Sequence, residues 1–241
     1  MIAAALAIPL VACTVLPGQE TFTCAPQWKM GEKANFKIAM DITSSNGEAS
    51  VKMQVGQTVL KTYDGGEADV ETQVQSLAVL LNGQEVNSAH SGGMKQVARV
   101  NRFGIPLAAK TEGEAGDRLS GLVLLLLAAP IAQEMKVGTP SPVTHKDAKT
   151  GKVLVKGVAT LEAIRDGVAT IVSNLEVFAA EGSEPSKLAV TSLVRTTDSK
   201  TIKATGTLSN VDVGFGDRLT AIQYVVERVQ SESNRGIRNG S

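Results

Sequence analysis

His90 and His145 are the only two histidines in the chain, and they limit the acid–base chemistry it can perform. An acyl-transfer triad needs a nucleophile, a base and an orienting acid. His90 stands in Ala89-His90-Ser91-Gly92-Gly93 and His145 in Thr144-His145-Lys146-Asp147, neither of them beside a nucleophile-elbow sequence. Both read as solvated loop residues. A structural zinc site wants four Cys or His ligands at characteristic spacings, and Cys13, Cys24 and two distant histidines do not supply them. Gly214-Phe215-Gly216-Asp217 lacks the downstream glycine and lysine of a phosphate-binding loop and reads as a turn. Asp64, Asp166 and Asp198 fall where hairpin tips are expected, positions that favour Asp for backbone reasons. No catalytic residue, metal ligand or cofactor is therefore expected, and the chain reads as a non-enzyme.

Cys13 offers a different chemistry, acylation. It closes the tetrapeptide Leu10-Val11-Ala12-Cys13 at the end of the apolar run Ile2–Ala12. A run of that length suits a secretory signal and is too short to span a bilayer as a helix. The tetrapeptide resembles the lipobox of bacterial lipoproteins. That resemblance implies cleavage before Cys13, diacylation of the cysteine and a membrane anchor on a chain facing the periplasm; without acylation the same segment implies secretion. No Lys or Arg precedes the apolar run, so the positive n-region of a signal peptide is missing if Met1 is the start. With Cys13 acylated, Cys24 is left without a disulfide partner.

The 24 basic and 24 acidic side chains cancel, so no global field concentrates nucleic acid, and none is expected as a partner. Aromatics make up 3% of the chain, which leaves few rings to stack on bases or sugars. Aliphatic residues must build the core.

From Ala34 to Thr43 polarity alternates strictly, with Phe36, Ile38 and Met40 marking the inner face of a half-buried strand. Asn46-Gly47, Asp64-Gly65 and Asn82-Gly83 are evenly spaced hairpin signals, so long antiparallel strands should run between them. Asp166-Gly167 opens a similar grammar in the second half. There Val168, Thr170, Val172, Leu175 and Val177 match Val70, Thr72, Val74, Leu77 and Val79 at one constant offset, and both sets slip phase by a residue, as β-bulges near Gln75 and Ser173 would require. Two pseudo-repeats, about 28–110 and 134–230, follow from the match. Further strands are expected at Lys152–Ile164, Lys187–Arg195, Thr201–Ser209 and Thr220–Gln230.

Between the halves, Leu119, Leu122, Val123, Leu126 and Leu127 recur at helical spacing before Pro130, with Asp117 placed to cap. Leu124 and Leu125 make the opposite side apolar too, so a helix over about 114–129 should be buried. The expected fold is α+β, mainly antiparallel β: a long-stranded, curved, half-barrel-like sheet with one central apolar helix on its concave face. Signal peptide 1–12, lipidated linker 13–27, a single domain 28–230 and a disordered tail 231–241 complete the organisation.

Long antiparallel strands, one apolar helix, few aromatics and the lipobox together resemble the half-barrel lipoprotein and lipoprotein-carrier proteins of bacterial envelopes, over about Trp28 to Gln230. The resemblance implies a periplasm-facing binding or interaction domain. Its candidate ligand is a lipid or other apolar molecule held between the helix (Leu119, Leu122, Val123, Leu126, Leu127) and the sheet (Phe36, Ile38, Met40). The alternative is a structural envelope scaffold with a filled core and a protein partner of unknown identity.

Overall fold

Alternating polarity builds the strands. The computed structural model describes residues 21–24, 26–44, 47–86, 95–107, 123, 126–127, 134–146, 150–178, 184–211 and 219–229; residues 1–20, with Cys13, and the tail 231–241 lie outside that set. Among the described residues thirteen strands form: β1 (Thr21–Thr23), β2 (Lys33–Ser44), β3 (Gly47–Thr62), β4 (Ala68–Leu81), β5 (Gln84–Val86), β6 (Lys95–Val100), β7 (Glu134–Lys136), β8 (Pro140–Lys146), β9 (Val153–Arg165), β10 (Val168–Val177), β11 (Ser186–Arg195), β12 (Thr201–Val211) and β13 (Leu219–Val229). In β2, Phe36, Ile38 and Met40 are 6, 2 and 1% exposed, while Lys33, Lys37 and Asp41 between them face solvent.

Eleven strands make one antiparallel sheet in the order β5-β4-β3-β2-β13-β12-β11-β10-β9-β8, with β6 pairing the other half of β4 beside β5. The tight turns follow from their residues. Asn82-Gly83 takes φ of 50 and 79°, and Asp166-Gly167 takes 50 and 74°. Two successive positive φ values are what a two-residue hairpin turn needs, and Asn, Asp and Gly tolerate them best. The central seam joins β2 to β13, with Ile42 opposite Ile222, Met40 opposite Tyr224 and Ile38 opposite Val226.

The sheet curls until its two edges approach. Phe103 follows β6 at one edge and His145 lies in β8 at the other, yet their rings meet edge to face with centroids 4.9 Å apart. β1 and β7 form a separate antiparallel ribbon whose following turn hangs on β9 through Gly138 N–H donating to the Leu161 carbonyl, 2.8 Å. Phe22 of β1 and Met135 of β7 belong to the same buried cluster as Phe36, Ile38, Leu161, Ile171, Leu208 and Ile222.

This arrangement overturns the α+β expectation. The described residues are almost wholly antiparallel strand, and helical backbone occurs only at Val123, Leu126 and Leu127, too few to make an element. Leu119 and Leu122 lie outside the described residues. Val123 and Leu126 do enter the core, but they share it with the ribbon and Ile105. A greasy run signals burial; its period alone does not say what else fills the interior.

The paired irregularity of the two halves also resolves differently on each side. In β4 the register passes from Ser76 opposite Gln54 to Val74 opposite Val55, so Gln75 is the extra residue of a bulge. β10 keeps one phase throughout, burying Ala169, Ile171, Ser173 and Leu175, and its bulge partner is Glu162 on β9. Val168 and Val172 are half-buried on the other face. Small residues at core positions, Ala169 and Ser173, hid the true phase behind the valines.

Candidate functional site

One end of the sheet carries the β3–β4, β9–β10 and β11–β12 turns together with the start of β2 and the end of β13. Distant segments converge there because each is the terminus of a neighbouring strand. Glu32, just before β2, meets Lys200, just before β12, and Arg228, near the end of β13. The Glu32 carboxylate oxygen Oε1 pairs with Lys200 Nζ and accepts from Arg228 Nη2 at 3.3 Å. All three side chains are 18–19% exposed. The second oxygen, Glu32 Oε2, is buried with no hydrogen-bond partner, as is Oγ1 of Thr201, another residue of the same wall.

A turn after β6 supplies the opposite wall. Asn101 Oδ1 accepts from the N–H groups of Phe103 and Ile105 at 2.9 and 3.1 Å, the local bonding that favours Asn in tight turns. Its carbonyl accepts the indole Nε1–H of Trp28 at 3.0 Å, tying the entry to β2 onto this turn. Arg102 and Phe103 are thereby set across from Lys200 and Arg228. Between them lies a cavity of about 70 Å³ whose apolar floor includes Trp28, Phe36, Val59 and Leu127. The Arg228 guanidinium stands 5.7 Å from the centre of the Phe36 ring, within cation–π range. The walls carry three cations, Arg102, Lys200 and Arg228, and one carboxylate, Glu32.

The residues singled out from sequence scatter relative to this site. Phe36 and Leu127 line it; Ile38, Met40, Val123 and Leu126 are closed in the core; Cys13, Leu119 and Leu122 fall outside the described residues. His90 does too. His145, expected in a solvated loop, is instead an inward residue of β8, buried, with Nε2 lacking a partner. Burial pushes its pKa down from 6.5 to about 4. Cys24 is a free, buried thiol; burial raises its pKa to about 12 despite a hydrogen bond with Ser199. Such a thiol is neither a ready nucleophile nor a ready metal ligand. Among the described residues no group of His, Cys, Asp and Glu is placed to hold a metal ion, and no helix is long and apolar enough to cross a membrane.

A second concavity is a shallow groove of about 760 Å³ crossing β8 to β12 on the outer face, with Lys156, Glu176, Lys187 and Thr207 along it. Lys156 and Glu176 pair across it at 3.0 Å. Glu32, Arg102, Lys200 and Arg228 were missed from sequence because nothing local marks them; only the β2–β13 seam and the turns on either side of it bring them together.

No known protein family matches the chain, and no curated protein matches it. Among solved structures, an N-terminal dehydratase from the difficidin assembly line aligns over 85% of this chain and 80% of its own, at 10% identity and a TM-score of 0.16. A likeness that slight carries no argument about fold or activity.

Proposed function

We propose that the chain is a lipid-anchored, periplasm-facing protein of the bacterial envelope that acts as a structural scaffold, with a filled core and a protein partner. The observation that supports this reading is the filling of the interior. Side chains from β2, β3 and β8 to β13, from the β1–β7 ribbon and from Ile105, Val123 and Leu126 belong to one buried cluster, and Val59, Ala68, Val70 and Val100 of β3, β4 and β6 form a second, smaller one. The cavity that reaches inward has about 70 Å³, against about 300 to 1,000 Å³ for sites that bury a small molecule. That volume suits a head group or a few waters, and counts against an acyl chain carried inside.

The two outer edges of the sheet differ in a way that favours one of them as the partner's side. β8 contains Pro140 and Pro142, which remove donors from an edge and discourage further pairing. At the β5 edge no proline intervenes, and Leu81 and Val86 are 47 and 43% exposed.

Anchoring would rest on Cys13, with about 0.8 kcal/mol of membrane affinity for each buried methylene. Expression of the full chain in a bacterium, fractionation and intact mass test it. The wild type should sediment with membranes at a mass raised by acyl chains, and Cys13→Ser should be released; an unmodified soluble wild type would end the anchored reading. Thermal melts with added fatty acid test the filled core. An unchanged melting temperature is expected, and a clear rise would restore a carrier.

A further inference from the structure

We propose that the cavity between Trp28, Arg102 and the Glu32–Lys200–Arg228 cluster is a binding site for a hydrogen-bond-donating oxyanion, the chemistry of hydrogen phosphate or of a phosphomonoester that keeps its last proton. The inference goes beyond the scaffold reading and stands or falls separately from it.

Charge is the first argument. Among the described residues three cations and a single carboxylate line the space, leaving a formal surplus of positive charge where Lys200 and Arg228 are mostly shielded from water. Coulombic attraction for an incoming anion is stronger in such a place than on an open surface. Arg102 makes the surplus available. Among the described residues it has no carboxylate partner, and it projects from a turn fixed by Asn101.

Hydrogen bonding narrows the ligand. Glu32 Oε2 and Thr201 Oγ1 are buried beside the cavity without partners, and a buried polar atom left unpaired is costly. A carboxylate oxygen accepts and does not donate. The molecule that satisfies this wall must therefore present a donor toward Glu32 and anionic oxygens toward Arg102 and Lys200. Hydrogen phosphate does both, since it keeps one O–H at neutral pH. Sulfate offers the same shape and charge with no donor at all. Size agrees: about 70 Å³ accommodates one tetrahedral oxyanion and no larger body.

The same head group can come free or on a lipid. Titration calorimetry on the full chain with inorganic phosphate and, separately, sodium sulfate tests the site; flotation of the full Cys13→Ser chain, which carries no acyl anchor, with vesicles of phosphatidylcholine alone or containing phosphatidic acid identifies the source. Phosphate should bind and sulfate should bind at least tenfold more weakly. Arg102→Gln, an exposed position whose loss leaves the Glu32 pairs intact, should weaken phosphate by about tenfold or more, the scale of one charge-assisted hydrogen bond. Glu32→Gln supplies an amide donor and should narrow the preference for phosphate over sulfate. Flotation with phosphatidic acid but no response to free phosphate would assign the site to the lipid head group, and a response to both would assign it to the anion itself. Absence of binding in both arms overturns the proposal, as does equal affinity for phosphate and sulfate in the wild type. A phosphate affinity that Arg102→Gln leaves unchanged overturns it as well.

Discussion

Phe103 and His145 lie at opposite edges of an eleven-stranded sheet, and their rings touch at 4.9 Å with an interplanar angle of 62°. That contact is where the curl of the sheet closes on itself. Burial of the His145 ring, with Nε2 lacking a hydrogen-bond partner, disfavours the charged imidazolium.

Acid should loosen this closure. His145 has its pKa pushed down by burial, from 6.5 to about 4, so between those values the unfolded chain binds a proton that the folded chain refuses. Stability then rises with pH through the window and is lost as pH falls from about 6.5 toward 4, by at most about 3 kcal/mol at 1.36 kcal/mol per unit. Urea denaturation from pH 7 to pH 4 reads it, and His145→Phe should flatten the slope. The carboxylate Asp69 acts in a lower window. Hydrogen bonds from Arg99 and then Tyr63 hold its pKa below the ordinary 3.8, so its contribution is present above that value and disappears beneath it. An unchanged slope in His145→Phe would detach the closure from this residue.

Cys24 should be silent in the native state. With a pKa raised to about 12 by burial, almost none of it is thiolate near neutral pH. In a Cys13→Ser chain, a thiol-specific colorimetric reagent should find no reactive group until denaturant is added and then one per chain; immediate native labelling would show an open segment after β1.

Leu126→Ala should destabilise the protein by about 2 to 5 kcal/mol, because the side chain is fully buried and its removal leaves a hole. Denaturant melts measure the loss. A change under 1 kcal/mol, well below that range, would place Leu126 outside the packed interior.

Gly206→Ala should cost about 1 to 3 kcal/mol for a single added methyl. A Cβ there would run into the Ala189 carbonyl across the β11–β12 ladder and would stand 3.0 Å from the Tyr224 hydroxyl. If the close approach is what requires glycine, pairing Gly206→Ala with Tyr224→Phe should recover only the smaller, hydroxyl part of the loss in the same melts.

Much of the sheet was legible because its signals are local. Strict alternation marked β2, and Asn82-Gly83 and Asp166-Gly167 marked their turns through the backbone values they permit. The expected strand at Thr201–Ser209 became β12 at Thr201–Val211 with little shift. The failures have physical causes. In β10 two of the four buried positions are small, Ala169 and Ser173, while Val168 and Val172 occupy the other face, so hydrophobicity pointed the wrong way. His145 sits in a Pro- and Thr-rich stretch that reads as loop, yet it is an edge strand whose burial depends on Phe103 far off in sequence. The site at Glu32, Arg102, Lys200 and Arg228 was illegible for the same reason: its residues become neighbours only through the pairing of β2 with β13.

That central seam also governs the order of assembly. Because Ile38, Met40 and Ile42 find their partners on β13, the last of the described strands, nearly every described residue must be in place before the middle of the sheet can zip. Until then two strand edges wait unpaired, and the loop to be closed is among the longest the chain allows, which makes the closing step slow and leaves the unclosed chain open to misassociation.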